Sequence, residues 1–329
     1  MAEPSKETVL IAGGAGYIGS HAVLACLEAG LQVVVLDDLS KGRRSLVPEA
    51  ARFVEGDVGD APLVGELIRQ AQVTALMDFA GSIVVPESVA QPAKYYLNNT
   101  AKSLSLFETA IGAGVSAIIY SSTAAVYGDA SEAPLSEESP LNPMSPYGRS
   151  KLAAEFILKD LCAASGVRYA ILRYFNVAGA DPRGRSGQVS EEATHLIKVA
   201  CEAATGKRAV LPIYGTDYPT PDGSCVRDYI HVTDLADLHV LALGRLLGGG
   251  DSFTANCGYG VGASVLEVVA AVERVLGRPL PVEAHGRRPG DPPSLVADTS
   301  RIRSLLGWRP KLDDLDGIVA TAHRWEQMS

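Results

Sequence analysis

The first half of the chain alternates short, almost unbroken apolar runs with longer stretches of helical spacing. The runs fall at 8–12, 32–37, 52–55, 75–79, 117–121 and 169–174, and helical segments at 19–29, 61–71, 95–113 and 147–165 lie between them. Continuous β-branched runs separated by amphipathic helices are how a parallel sheet covered on both faces reads. Gly30 and Gly114 stand where two helices should end, each ahead of a new apolar run. After 176 the pattern loosens. Turn-rich stretches at 181–188, 215–223 and 286–293 are interspersed with a strand candidate at 251–256 and helices at 233–247 and 264–276. The expected fold is α/β: a Rossmann-type doubly wound parallel sheet with a smaller C-terminal substrate-binding lobe. Residues 1–176 would form the first domain, with later returns near 225–258, and 177–329 mainly the lobe.

Composition narrows the class. With 329 residues, 47% of them apolar, the chain can build one large domain or two lobes. An excess of 38 acidic over 29 basic residues argues against nucleic acid or an anionic membrane as main partner. No apolar run reaches spanning length, and Met1–Lys6 shows no signal-peptide pattern, so a cytoplasmic protein is expected. The five scattered cysteines show no CxxC or Cys/His spacing, which predicts buried thiols and no metal site. HExxH, GxxxxGK[ST] and GxSxG are absent from the sequence.

The stretch Gly13-Gly14-Ala15-Gly16-Tyr17-Ile18-Gly19 follows the first apolar run and opens a helix. In that setting glycines at 13, 16 and 19 let the backbone turn, approach a pyrophosphate and pack helix on strand. The next run ends in Asp37-Asp38, 18 residues beyond Gly19. A carboxylate there accepts from ribose hydroxyls and favours NAD over NADP. Arg43 and Arg44 follow, so a 2′-phosphate stays open at this point.

Tyr147 and Lys151 are four residues apart, on one face of a predicted helix. An ammonium there would stabilise a phenolate and make a tyrosine usable as a general base. Alone, Tyr-x3-Lys is a common accident of helical sequence. Thr123, which ends Tyr120-Ser121-Ser122-Thr123 after a predicted parallel strand, gives it company. Ligands of open sheets bind outside the carboxyl ends of their strands, so Thr123 is placed to bond a substrate hydroxyl.

These motifs, with Arg173-Tyr174-Phe175-Asn176, resemble the extended short-chain dehydrogenase/reductase family. The longer strings Val126-Tyr127-Gly128-Asp129, 214–220 and 226–232 resemble its epimerases of UDP-galactose and UDP-glucose, from Val9 to about Trp308. The resemblance implies a tightly held NAD. Tyr147 would take a proton from the sugar 4-hydroxyl while hydride leaves C4, and the 4-keto sugar would turn about its diphosphate link and be reduced on its other face. Lys151 would hold Tyr147 and the nicotinamide ribose, and Thr123 the 4-oxygen. The cofactor would be lined by Gly13, Gly16, Tyr17, Ile18, Gly19, Asp37, Asp38, Leu39, Ser40, Lys41, Gly42, Asp57, Val58, Phe79, Ala80, Gly81, Asn98 and Phe175. Asn176, His195, Leu196, Leu211, Pro212, Ile213, Arg227, Arg288 and Asp291 would hold the uridine diphosphate, with arginine forks on phosphate oxygens. In this family two helices per chain form a dimer seam, so 95–113 and 152–161 imply a homodimer.

The chain also departs from the pattern. Ile83 stands where many such epimerases carry a cofactor-binding Lys, and Leu295 where some carry Tyr and others a small residue. Other UDP-sugars, arabinose/xylose or N-acetylhexosamine, therefore remain open as substrates. The stretch 190–196 differs from some relatives as well. Sugar dehydratases of the family need an acid beside the Thr, but here Ala124-Ala125 follow Thr123. A non-catalytic NAD-sensing protein would tend to lose the Tyr or Lys kept here. His21 and His231 read as structural.

Overall fold

The computed structural model describes residues 7–128, 134–189, 194–288 and 291–329. The reading of Met1–Lys6, Asp129, most of 190–196 and the middle of 288–291 lies outside the described residues.

Six strands follow the apolar runs: β1 (Thr8–Ala12), β2 (Gln32–Asp37), β3 (Arg52–Glu55), β4 (Ala75–Asp78), β5 (Ala117–Thr123) and β6 (Arg168–Tyr174). With the strand Phe253–Cys257 they form a seven-stranded sheet in the order 253–257, β6, β5, β4, β1, β2, β3. The β3-β2-β1-β4-β5 portion is parallel throughout. This is the doubly wound order, reversing direction between β1 and β4. Every residue of β1 and β4 is buried, whereas β3 at the edge is half-exposed. That gradient explains why the central runs carry no polar alternation. Leu10, Leu36, Leu76, Ile118 and Ile171 pack with Leu67 and Ile68 of the helix Ala61–Ala71, Leu106 and Phe107 of Lys102–Gly112, and Leu158 of Pro146–Ser165.

The segment read as one helix over 95–113 is helical without a break, but not α throughout. A short helix Pro92–Tyr96 passes through a π-helical turn, Leu97–Ala101, into Lys102–Gly112. The wider turn is held by tertiary bonds. Asn99 accepts from Ser82 N–H (2.7 Å) and donates to Ser82 O (2.9 Å) and Ser150 Oγ (3.1 Å), while Thr100 donates to Ser150 O (3.0 Å).

The chain divides into two compact units. The first holds residues up to 126, with 145–173 and 236–255; the second holds 127–144, 174–235 and 256–329. The excursion 127–144, counted with the first domain in the sequence reading, thus clusters with the second unit. In that unit Val226–His231 carries Gly262–Ser264, Ser294–Leu295 and Asn176–Ala178, while Leu211–Tyr214 pairs with Val282–His285. Its helices include Leu196–Ala204, Val265–Leu276 and Leu315–Met328. A reciprocal Ser264/Glu267 capping box starts Val265–Leu276. Most of these elements carried no sequence signal of their own.

All five cysteines are buried and free. Among the described residues no group of side chains is arranged to hold a metal ion, and no helix is long and apolar enough to cross a membrane.

Candidate active site

The turn after β1 is closed by Gly13 N–H to Leu36 O (2.8 Å) and Gly16 N–H to Gly13 O (3.2 Å). Gly13 has φ +74°, and a side chain there would stand 2.8 Å from Ala80 N. At Gly19 a β-carbon would lie 2.2 Å from Gly13 O. Only glycine fits either place. Gly16 precedes the helix Tyr17–Glu28, whose N-terminus has no side-chain cap and no acidic residue in its first turn. A helix start of this kind is a ready anion site.

Asp37, buried at the end of β2, accepts Ala15 N–H at 2.8 Å and Leu39 N–H at 2.9 Å. Burial raises its carboxyl above the ordinary value, against those two bonds. Two backbone bonds leave the carboxylate lone pairs for a ribose diol. Arg44 is committed elsewhere, donating to Val47 O (2.8 Å) and lying 4.8 Å over the ring of Phe53. Asp38 takes Ser40 N–H and hydroxyl. Asp57 pairs with Lys102 at 2.6 Å and accepts from Gly59 N–H. Asn98 donates to Ser82 Oγ at 3.0 Å. A glycine cradle, an uncapped helix start and a carboxylate on the next strand together fit a dinucleotide.

Ser145 caps the helix Pro146–Ser165, accepting Gly148 N–H at 3.1 Å, and Pro146 opens its first turn. That cap sets the phase in which Tyr147 and Lys151 share a face. The Thr123 hydroxyl acts on the Tyr147 phenol, and the Tyr147 ring meets Tyr95 edge-on with centroids 6.3 Å apart. Lys151 is buried, its Nζ 4.5 Å above the ring of Tyr120. Burial raises the Tyr147 phenol above its ordinary value, opposed by the Thr123 hydroxyl. Below this pair lies a cluster the sequence reading missed: Glu155 accepts from Ser122 Oγ (2.5 Å) and from Arg173 Nε (3.0 Å) and Nη2 (2.7 Å).

In the second unit, Asn176, His195 and Leu196 line one cavity with Gln188, Tyr229 and Trp325. His195 Nδ1 lies 2.8 Å from Gln188 Nε2, and burial lowers its pKa. Leu211 and Ile213 face the core, which leaves Pro212 and Tyr214 as the accessible side chains of their strand. Arg288 lies 3.7 Å over the ring of Tyr214, a residue absent from the expected set. Arg227 is bonded to Asp291, so two expected ligands of the diphosphate hold each other. Phe175 is buried and donates its N–H to Cys257 O (3.1 Å). His21 bonds Tyr17 O, and His231 accepts from Thr233 N–H and meets Thr321, both structural.

Glycine loop and Asp37 sit on a Rossmann-type sheet beside a group of Thr123, Tyr147 and Lys151, the arrangement of a dinucleotide-dependent enzyme. Residues 9–258 match the model of the NAD dependent epimerase/dehydratase family, and the chain belongs to that family. It is 58% identical to UDP-glucose 4-epimerase of Azospirillum brasilense, over 98% of this chain and 93% of the relative. Among solved structures it resembles UDP-glucose 4-epimerase of Brucella ovis in complex with NAD (44% identity, TM-score 0.94, covering 97% of this chain and 98% of that one). It also resembles the UDP-Glc/GlcNAc 4-epimerase of Campylobacter jejuni (46% identity, TM-score 0.86, 98% and 100%).

Proposed function

We propose that this protein interconverts UDP-galactose and UDP-glucose through a transient 4-keto sugar, with NAD retained from one turnover to the next. The observation that carries the reading is the placement of Tyr147 one helical turn from buried Lys151, near Thr123 at the carboxyl end of β5. When bound, NAD supplies the hydride acceptor and, oxidised, the positive charge that makes a Tyr147 phenolate accessible. Tyr147 takes the proton of the sugar 4-hydroxyl and gives it back to the same oxygen when the turned 4-keto sugar is reduced on its other face. Thr123 orients the 4-oxygen through the same hydroxyl that meets Tyr147. Gly13, Gly16, Gly19 and Asp37 hold the dinucleotide, and Asn176, His195, Arg227 and Arg288 the uridine diphosphate. For Arg227 this means sharing its guanidinium between Asp291 and a phosphate, which its five donors permit.

The similarity to a UDP-Glc/GlcNAc 4-epimerase supports a second reading in which N-acetylated sugars are also accepted. The protein acts in the cytoplasm as a homodimer. Supporting the dimer, Val89, Tyr96, Leu97, Leu104 and Phe156 expose 40–66% of their surface on neighbouring helices of the first unit.

Purified protein incubated with UDP-galactose and no added NAD should form UDP-glucose with no net change in nicotinamide absorbance. A requirement for added NADPH, or loss of water from the sugar, would overturn the proposal.

A further inference from the structure

Lys151 is 4% exposed, and its ammonium rests on the face of Tyr120. It lies 3.9 Å from the point at which a side chain of Gly81 would begin. A buried ammonium needs an opposite charge, and two carboxylates act on it, Asp78 and Glu155. Glu155 is already matched. Arg173 grips it with two bonds, Ser122 donates to it, and Lys159 stands 4.0 Å away. Asp78 is 1% exposed and takes only neutral donors, Ala80 N–H at 3.0 Å and Ser103 Oγ at 3.5 Å. The cation whose charge acts on it is Lys151. Sheet register explains the meeting. Asp78 ends β4 directly opposite Tyr120 of β5, the ring that carries the ammonium.

We propose that Asp78 is a positioning residue, the counter-charge that holds Lys151 as an ammonium one turn from Tyr147. The inference rests on the function proposed above and adds to it a residue absent from the expected set. Each charge makes the other tolerable. Burial moves the two groups in opposite directions, Asp78 up to about 6 and Lys151 down to about 8, so both are ionised between those values. Protonating or removing Asp78 leaves the ammonium without its uncommitted counter-charge, and Lys151 then loses its proton at lower pH.

Asp78→Asn keeps an acceptor for Ala80 N–H while removing the charge. It should move the alkaline limb of the kcat profile down by about one pH unit, with KM little changed. Melting temperatures of wild type, Asp78→Asn, Lys151→Met and the double variant test the pair without any turnover. The Asn substitution should lower Tm when Lys151 is present and raise it when position 151 is Met, because a lone buried carboxylate is then relieved. Lys151→Met supplies a check that leaves Asp78 intact. A raised carboxyl contributes stability that is full below its ordinary 3.8 and lost as pH rises through about 6. Without the ammonium that loss should be larger and extend to higher pH. If Asp78→Asn leaves the alkaline limb in place and shifts Tm equally in both backgrounds, Asp78 is only an acceptor for Ala80 and the proposal fails. If no UDP-sugar is turned over, the function fails, and the Tm cycle still decides the charge pair.

Discussion

Gly19→Ala and Gly244→Ala make the same chemical change in two helices of the first unit, and the structure gives them opposite signs. Alanine in a helix interior is favoured over glycine by about 1 kcal/mol. At Gly244, in Val232–Leu247, a β-carbon meets nothing within 4 Å, so that preference acts unopposed. At Gly19 it would stand 2.2 Å from Gly13 O and 2.9 Å from Gly13 C and Gly14 Cα. These neighbours are backbone, and they belong to a turn pinned by Gly13 N–H to Leu36 O and Ala15 N–H to Asp37. Opening that contact to an ordinary separation moves helix from turn by roughly 1 Å, an overpacking cost of about 1–3 kcal/mol. Gly19 sits in the first turn, where the propensity gain is smallest, so the clash wins. With about 2–4 °C per kcal/mol for a domain of this size, Gly19→Ala should lower the apo-protein Tm by several degrees. Gly244→Ala should raise it by roughly 2–4 °C. Nucleotide released from the denatured, purified proteins reads the cradle directly. It should be stoichiometric for wild type and Gly244→Ala and strongly reduced for Gly19→Ala. A Gly19→Ala protein with wild-type Tm and a full complement of nucleotide would refute the close-approach argument.

Arg173→Met leaves Glu155 buried with Ser122, a distant Lys159 and the charge of Lys151 shared with Asp78, and loss of one member of such a pair costs about 3–5 kcal/mol. A urea midpoint that implies less than about 1 kcal/mol contradicts that reading. His195 has a lowered folded-state pKa because it is buried, so its contribution is present above 6.5 and lost as pH falls through the folded value. The wild-type Tm should therefore drop more steeply below pH 6.5 than that of His195→Gln; equal slopes would place the cause elsewhere. Tyr147→Phe should reduce kcat by about 100-fold or more while nucleotide stays bound, and near-normal turnover would reassign the base.

What the sequence makes legible follows from how local the cause is. The strands of the main sheet announce themselves because a strand covered on both faces is apolar at every position, as β1 and β4 are. The spacing of Tyr147 and Lys151 and the cap at Ser145 lie within one turn of helix, so their shared face is readable. The π turn at Leu97–Ala101 is not, since it depends on Asn99 reaching Ser82 and Ser150. The second unit hides for a similar reason. Its strands run from two to six residues and pair with distant partners, as Ser294–Leu295 does with Val226–Arg227. Asp78 shows the same limit at the site. It looks like the polar end of an apolar run, and only the register against Tyr120 gives it a cation. Arg227 and Asp291 were both expected at the diphosphate, but no spacing predicts that they bond each other.

The central claim, that hydrogen leaves the sugar C4 and comes back to the same carbon, is tested most directly with UDP-galactose deuterated at C4. Labelled and unlabelled substrate are mixed, converted by the purified protein and examined by mass spectrometry. The account predicts that deuterium remains at C4 of the UDP-glucose formed, with no loss to water. Wash-out of the label into solvent, or its appearance in free NADH, would contradict it.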